Sequence, residues 1–244
     1  MIRTILSAIA FFSAQAFCQA TPALGIDIPS LTSPLQLSSS IGLLISLSSI
    51  SLIPFFLIST TPFVRFAIVL GMTRNAIGTN QSPPNPVIVS IALFMTVFIM
   101  APTWVKVYNE AIVPYQNNTI TQAEALDTGI NEFRLFMLKY TREQDLALFI
   151  EFSKTPINQR IESIPIYVLI PAYMISELKT SFQIGFMLFI PFIVIDLVVS
   201  NILLSLGMFM LSPVMISLPF KILLFVLIDG WNLLTRGLLN GLQL

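Results

Sequence analysis

Residues 171–231 read PAYMISELKTSFQIGFMLFIPFIVIDLVVSNILLSLGMFMLSPVMISLPFKILLFVLIDGW. Two long apolar runs in this stretch fold back on each other around Gly207, Met208, Phe209, Met210, Leu211, Ser212 and Pro213, a loop that supplies turn residues and sulfur together. Each run carries one charge inside its apolar length, Asp196 in the first and Lys221 in the second. Asp196 stands twelve residues before Met208 and Lys221 twelve after Phe209. An antiparallel hairpin centred between those two loop residues therefore puts both charges at one depth. An ionisable group in an apolar segment costs at least a few kcal/mol unless it meets water, a protein interior or an opposite charge. The spacing predicts an Asp196–Lys221 pair.

On the N-terminal side, Pro165 and Pro171 each suit a first helical turn. A helix beginning near Ala172 runs into the hairpin, bending at Pro191. Glu177 and Lys179 precede the apolar run, where water is still reachable, and read on their own as an ordinary pair of interface charges. On the C-terminal side, Asp229, Gly230 and Trp231 close the second arm, and Asn232 to Leu244 forms a short amphipathic tail with Arg236.

Upstream of the hairpin the character is aqueous. Thr103 to Pro165 holds 14 of the 24 charged residues. Thr121 and Glu124 have capping-box spacing, with Leu126, Ile130, Phe133 and Met137 following at helical intervals. Thr141 to Gln144 repeats the start signal ahead of Leu146, Phe149 and Phe152, so two short amphipathic helices are expected. Before this lobe, Val87 to Ala101 is an apolar run of about 15 residues, roughly 22 Å against a hydrocarbon core of about 30 Å. Pro102 and Trp104 are expected to close it. Gly71 to Pro86 reads as a loop with Arg74, Gly78, Pro83 and Pro84. Ahead of it, the serine-rich run Ile41 to Ile58 is expected to kink at Pro54, and a further run, Phe63 to Leu70, encloses Arg65. Small hydroxyl residues favour close helix contact in lipid, so the first run suits a protein-packed helix.

The first 20 residues place Arg3 before an apolar stretch, Ile5 to Phe17, and small residues at Ala14, Ala16 and Ala20, the pattern of a cleavable signal peptide. An uncleaved anchor is the alternative. Residues 21–40, rich in Pro, Ser and Thr, form an extended leader. The expected organisation is a signal peptide at 1–20, a leader at 21–40, a first helical hairpin at 41–102, an aqueous periplasmic lobe at 103–170, and a second hairpin with the Met-rich loop at 171–244.

Composition decides the class. The 244 residues are 55% hydrophobic and only 10% charged, an integral membrane balance. Lys+Arg and Asp+Glu number 12 each, so no net charge argues for nucleic acid. The absence of histidine removes the commonest general base and metal ligand, and the single Cys18 rules out an intramolecular disulfide. Gly71 to Gly78 lacks the Gly-Lys-Ser/Thr of a phosphate loop. Asp196 and Asp229 lie on opposite arms more than about 10 Å apart in depth, too far to share a proton. The expectation is no enzyme, no metal and no cofactor.

In isolation, Met208, Met210 and Met215 read as gap-filling core. Pointing inward from several hairpin tips, they would instead make a soft constriction that seals around a moving chain. Thr61–Pro102 (TPFVRFAIVLGMTRNAIGTNQSPPNPVIVSIALFMTVFIMAP), Thr141–Phe149 (TREQDLALF) and Pro171–Trp231 together resemble the flagellar biosynthetic protein FliP family, core export-gate components of type III secretion. The similarity runs from about Ile41 onward; its most specific strings are PAYMISELKTSFQIGF, PFIVIDLVVSNILLSLGM and LPFKILLFVLIDGW. Pro86 departs from it, standing where the family usually has a polar residue.

The resemblance implies an all-α membrane protein of long kinked hairpins plus a small helical aqueous lobe, assembled in a helical ring. It implies a pentamer of this subunit with FliQ and FliR, working with FlhA and FlhB and passing unfolded flagellar subunits across the bacterial inner membrane at the flagellar basal body. Met208, Phe209 and Met210 become the pore gasket, Asp196 and Lys221 the charged hairpin pair, and Glu177, Lys179, Asp229 and Arg65 further functional charges. The alternatives are a virulence-injectisome gate subunit, an ion-coupled secondary transporter using Asp196 and Lys221, and a scaffold that never touches substrate. Against the transporter, no internal repeat is visible.

Overall fold

The structure, a computed structural model, describes residues 48, 51, 52, 54–79, 81–153 and 164–243. The chain divides into Met1–Ile53 and Pro54–Leu244. In the first unit only Ser48, Ser51 and Leu52 are described, all helical. The expected signal peptide, the leader and nearly all of the run from Ile41 to Ile53 lie outside the described residues.

The second unit is helical throughout its described elements. α1 (Pro54–Thr60) meets α2 (Phe63–Ile77) at a 77° bend. The sharp break is at Thr61–Pro62, because Pro62 has no N–H to continue the α1 ladder. The hydroxyls of Ser59 and Thr60 donate to the Phe56 carbonyl, and that of Thr61 to Leu57, back-bonding onto the last turn of α1 just before the break. α2 runs through Gly71, six residues past the expected loop start, and stops at Gly78, whose φ of 89° is the left-handed conformation a helix C-terminus favours. A lone glycine inside a helix costs about 1 kcal/mol, which packing overrides here.

α3 spans Asn85–Gln116, 32 residues. It passes through Pro102 and Trp104, where the sequence suggested an end, and contains a π turn at Tyr108–Ile112. Proline removes one backbone bond without forbidding the turns beyond it, and the edge-to-face contact of Trp104 with Phe133, 5.1 Å between centroids, ties the extension to the lobe. α4 (Gln122–Tyr140) opens with the expected capping box at Thr121 and Glu124. α5 (Glu143–Ser153) does not use the second start signal: the Thr141 hydroxyl donates back to the Met137 carbonyl at 2.7 Å, closing α4 instead.

α6 (Ile166–Ser205) is a single helix of 40 residues. It begins directly after Pro165, six residues before the expected Ala172, and carries Pro171 and Pro191 inside it. The boundaries expected at 102/103 and 170/171 therefore fall within α3 and α6. α7 (Pro213–Leu227) returns antiparallel to α6 and turns by 62° into α8, Gly230–Gln243. α3 and α6 are long and apolar enough to cross a membrane, and each bent pair, α1–α2 and α7–α8, passes the same test as one broken span. This is an all-α membrane protein.

One buried cluster joins Phe66, Val69 and Leu70 of α2, Ile88, Ala92, Met95 and Ile99 of α3, and Leu234, Leu238 and Leu242 of α8. The three leucines recur every fourth residue, so they form one stripe, and the amphipathic tail is docked core. A second cluster sets Met137 of α4 against Val168, Leu169 and Tyr173 of α6, and a third joins Ala76, Ile77, Phe192 and Phe225.

Candidate functional site

In the α6–α7 hairpin, Lys221 Nζ donates to Asp196 Oδ2 at 2.6 Å. The Lys221 side chain is 5% exposed and that of Asp196 30%. The register argument places the two charges where they meet. The carboxylate has a second partner that the sequence reading did not single out: Ser217 Oγ donates to Asp196 Oδ1 at 2.5 Å. Ser217 is four residues before Lys221, hence on the same helix face, and that spacing was the available signal.

Glu177 is not the water-facing interface charge expected of it. It is 1% exposed and holds Arg65 of α2 through Arg65 Nε to Oε2 at 2.7 Å and Nη2 to Oε1 at 2.5 Å. This bidentate fork is the strong geometry for an arginine–carboxylate pair. The Arg65 guanidinium also lies 5.9 Å from the ring centroid of Tyr140, whose hydroxyl donates to the Leu242 carbonyl. Thus α2, α4, α6 and α8 converge on one buried polar centre.

Lys179 turns the other way, toward the lobe. Its ammonium donates to Asp145, which is 2% exposed and also accepts from Ser176 Oγ at 2.9 Å. Burial alone would raise the Asp145 carboxyl, but the bonds from Lys179 and Ser176, with the charges of Lys179 and Arg142, outweigh it and hold the group below the ordinary carboxylate range. Arg142 completes the contact: its N–H donates to Ser176 Oγ at 3.0 Å, and Nη2 donates to Thr180 Oγ1 at 3.1 Å and Gln183 Oε1 at 2.6 Å. The α4–α5 corner is therefore clamped onto a polar stripe of α6. Arg142, Asp145 and Ser176 went unselected in the sequence because nothing local marks which lobe charge meets α6.

Asp229 joins none of these clusters. It is exposed, adopts φ 51°, and makes the corner between α7 and α8, its carbonyl accepting the N–H groups of Asn232 and Leu233. An aspartate tolerates this left-handed conformation better than most side chains. Among the described residues, no group of three or more His, Cys, Asp or Glu could hold a metal ion.

The methionine loop is built by a helix stop. Gly207 has φ 72°, its N–H donates to the Leu204 carbonyl, and the Met208 N–H donates to Leu203, the two bonds of a Schellman motif. The chain leaves α6 at a defined angle and re-enters helix at Pro213. Between them Met208 is 43%, Phe209 76% and Met210 100% exposed. Within one chain these side chains are no core.

A model of the FliP family matches residues 46–238. The chain belongs to the FliP family. It is 49% identical over 216 residues to the flagellar biosynthetic protein FliP of Bacillus subtilis, covering 88% of this chain and 98% of that protein. It is 44% identical to the protein of the same name from Caulobacter vibrioides, across 99% of this chain and 90% of the relative. The FliP of Pectobacterium carotovorum is 48% identical over 82% of this chain and 77% of its own length. The family match thus includes Arg65, Glu177, Asp196, Lys221 and the methionine loop of this FliP-family chain.

Proposed function

We propose that this chain is a core subunit of the flagellar type III protein export gate. Copies of it, with FliQ and FliR and next to FlhA and FlhB, form a ring-shaped conduit for unfolded flagellar subunits across the inner membrane, with the lobe on the periplasmic side. The observation that carries this reading is the FliP-family match over residues 46–238. The exposed loop gives it a mechanism. Thioether and phenyl side chains are polarizable and adaptable, so a ring of Met208, Phe209 and Met210 closes on itself at rest and yields to a passing chain without a specific fit. The charge pair and the buried arginine–glutamate centre hold the hairpins that present the loop; they perform no chemistry on the cargo.

The test is the mass of the detergent-extracted complex, with and without FliQ and FliR co-expressed. A large discrete oligomer that gains both partners is the expected result. A monomer or dimer indifferent to them removes the ring.

A further inference from the structure

Along α6, Met187, Ile190, Val194, Leu197, Asn201 and Leu204 follow one another at intervals of three, four, three, four and three residues, and every one is exposed. Alternation of three and four is the seven-residue repeat by which α-helices supercoil on one another. Counted with Met187 as position a, these residues fill the a and d positions throughout. The contacts made within the chain lie on the opposite side of the helix: Phe192 and Leu203 are buried and Asp196 holds Lys221, at positions f and c. Ile193 and Val198, at g and e, are exposed as well, so the apolar stripe is broader than a two-stranded coil needs.

One member of the stripe is polar. Asn201 stands at an a position, and among the described residues no hydrogen bond within the chain engages its side-chain amide. The Ser205 hydroxyl takes its main-chain carbonyl instead, at 2.8 Å. Acyl chains can cover the apolar members but offer an amide neither donor nor acceptor. A parallel second copy offers both at the right depth, because Asn201 then meets Asn201 and an amide is donor and acceptor at once. A single asparagine at an a position fixes register and strand number between parallel helices, at some cost in stability.

We infer that α6 packs along this seam on α6 of neighbouring copies, parallel and in register, with the Asn201 amides hydrogen-bonded from copy to copy. The inference rests on the ring reading and deepens it. Met208 follows Asn201 by seven residues, so register at the asparagine brings every copy's methionine loop to one height. An antiparallel copy, or one slipped by a heptad, would set Asn201 against an apolar residue and leave the amides unpaired.

The test uses the full-length chain in a Cys18→Ser background, co-expressed with FliQ and FliR and extracted in detergent. Asn201→Cys is expected to crosslink between copies through a short bismaleimide at least about fivefold more than Ile202→Cys, which moves the thiol roughly 100° round the helix at nearly the same depth. Asn201→Leu should assemble in undiminished amount but as more than one mass, because an all-apolar seam no longer selects register or copy number. Both positions are exposed within the chain, so neither change disturbs its own fold. A discrete oligomer in which Asn201→Cys crosslinks no better than Ile202→Cys overturns the seam and leaves the ring reading standing, whereas a chain that forms no oligomer ends both. Full labelling of Asn201→Cys in the assembled complex by a charged, water-soluble maleimide assigns the seam to a water-filled bore and overturns it equally. A single unchanged mass for Asn201→Leu overturns the role of Asn201.

Discussion

Arg65 and Glu177 bury opposite charges with side-chain exposures of only 6% and 1%. Two well-formed hydrogen bonds offset the desolvation of each, so removing one partner strands the other in a dry site. Arg65→Ala or Glu177→Ala is expected to cost about 3–5 kcal/mol, read as a lowered unfolding temperature in detergent. The exchange Arg65→Glu with Glu177→Arg recovers part of it; no recovery would show that Tyr140 and the surrounding walls fix the sign of each position. Asp145 supplies a pH dependence. Its folded carboxyl titrates below the ordinary value of about 3.9, so its contribution is fully present above that value and is lost as pH falls through the folded one. Protease cutting of the α4–α5 corner should stay flat from neutrality to about pH 5 and rise only in stronger acid. Asp145→Asn should cut readily at every pH; an unchanged pattern would mean that Arg142 alone holds the corner.

Elements differ in how far their contacts can be read from the chain. The α6–α7 pair was legible because a short turn fixes the register, so equal counts from the loop bring Asp196 to Lys221. Arg65 and Glu177 are 112 residues apart. Their meeting depends on how α2 lies across α6, which no local spacing records. Proline misled at two places for a related reason: Pro102 and Pro171 lie inside a helix, as Pro191 was expected to, because packing outweighs one missing bond, whereas Pro62 sits at a true break. The α2–α6 crossing rests on Gly185, where an added Cβ would lie 2.3 Å from Met72 Sδ and 3.3 Å from Met72 Cβ. The methionine tip can rotate away from a single methyl, so Gly185→Ala is expected to be mild. Gly185→Val should lose about 1–3 kcal/mol by overpacking, and Met72→Ala in the same chain should restore most of it. A valine variant as stable as the wild type would mean that the helices separate freely there, and that the crossing does not hold the arginine–glutamate centre in place.

The whole molecule leaves much of its apolar surface uncovered: Phe94 and Phe98 of α3 are 73% and 61% exposed, Phe186 and Met187 of α6 are 64% and 69%. Some of that surface can meet lipid, but Met210, fully exposed at the hairpin tip, follows a helix stop that fixes its direction. An element held this firmly at its base and unpacked at its end suits a deformable seal. In the gate reading, replacing Met208 and Met210 together by glycine removes the flexible side chains while Gly207 still turns the chain. The assembled complex should then assemble at normal mass and leak ions in planar bilayer recordings, where the wild type is closed. The charge pair predicts the opposite split: Lys221→Ala strands the Asp196 carboxylate, so it should lower the yield of assembled complex with no open conductance in what assembles. Leak from Lys221→Ala and none from the double glycine variant would exchange the two roles, making the charges the barrier and the methionine loop a bystander.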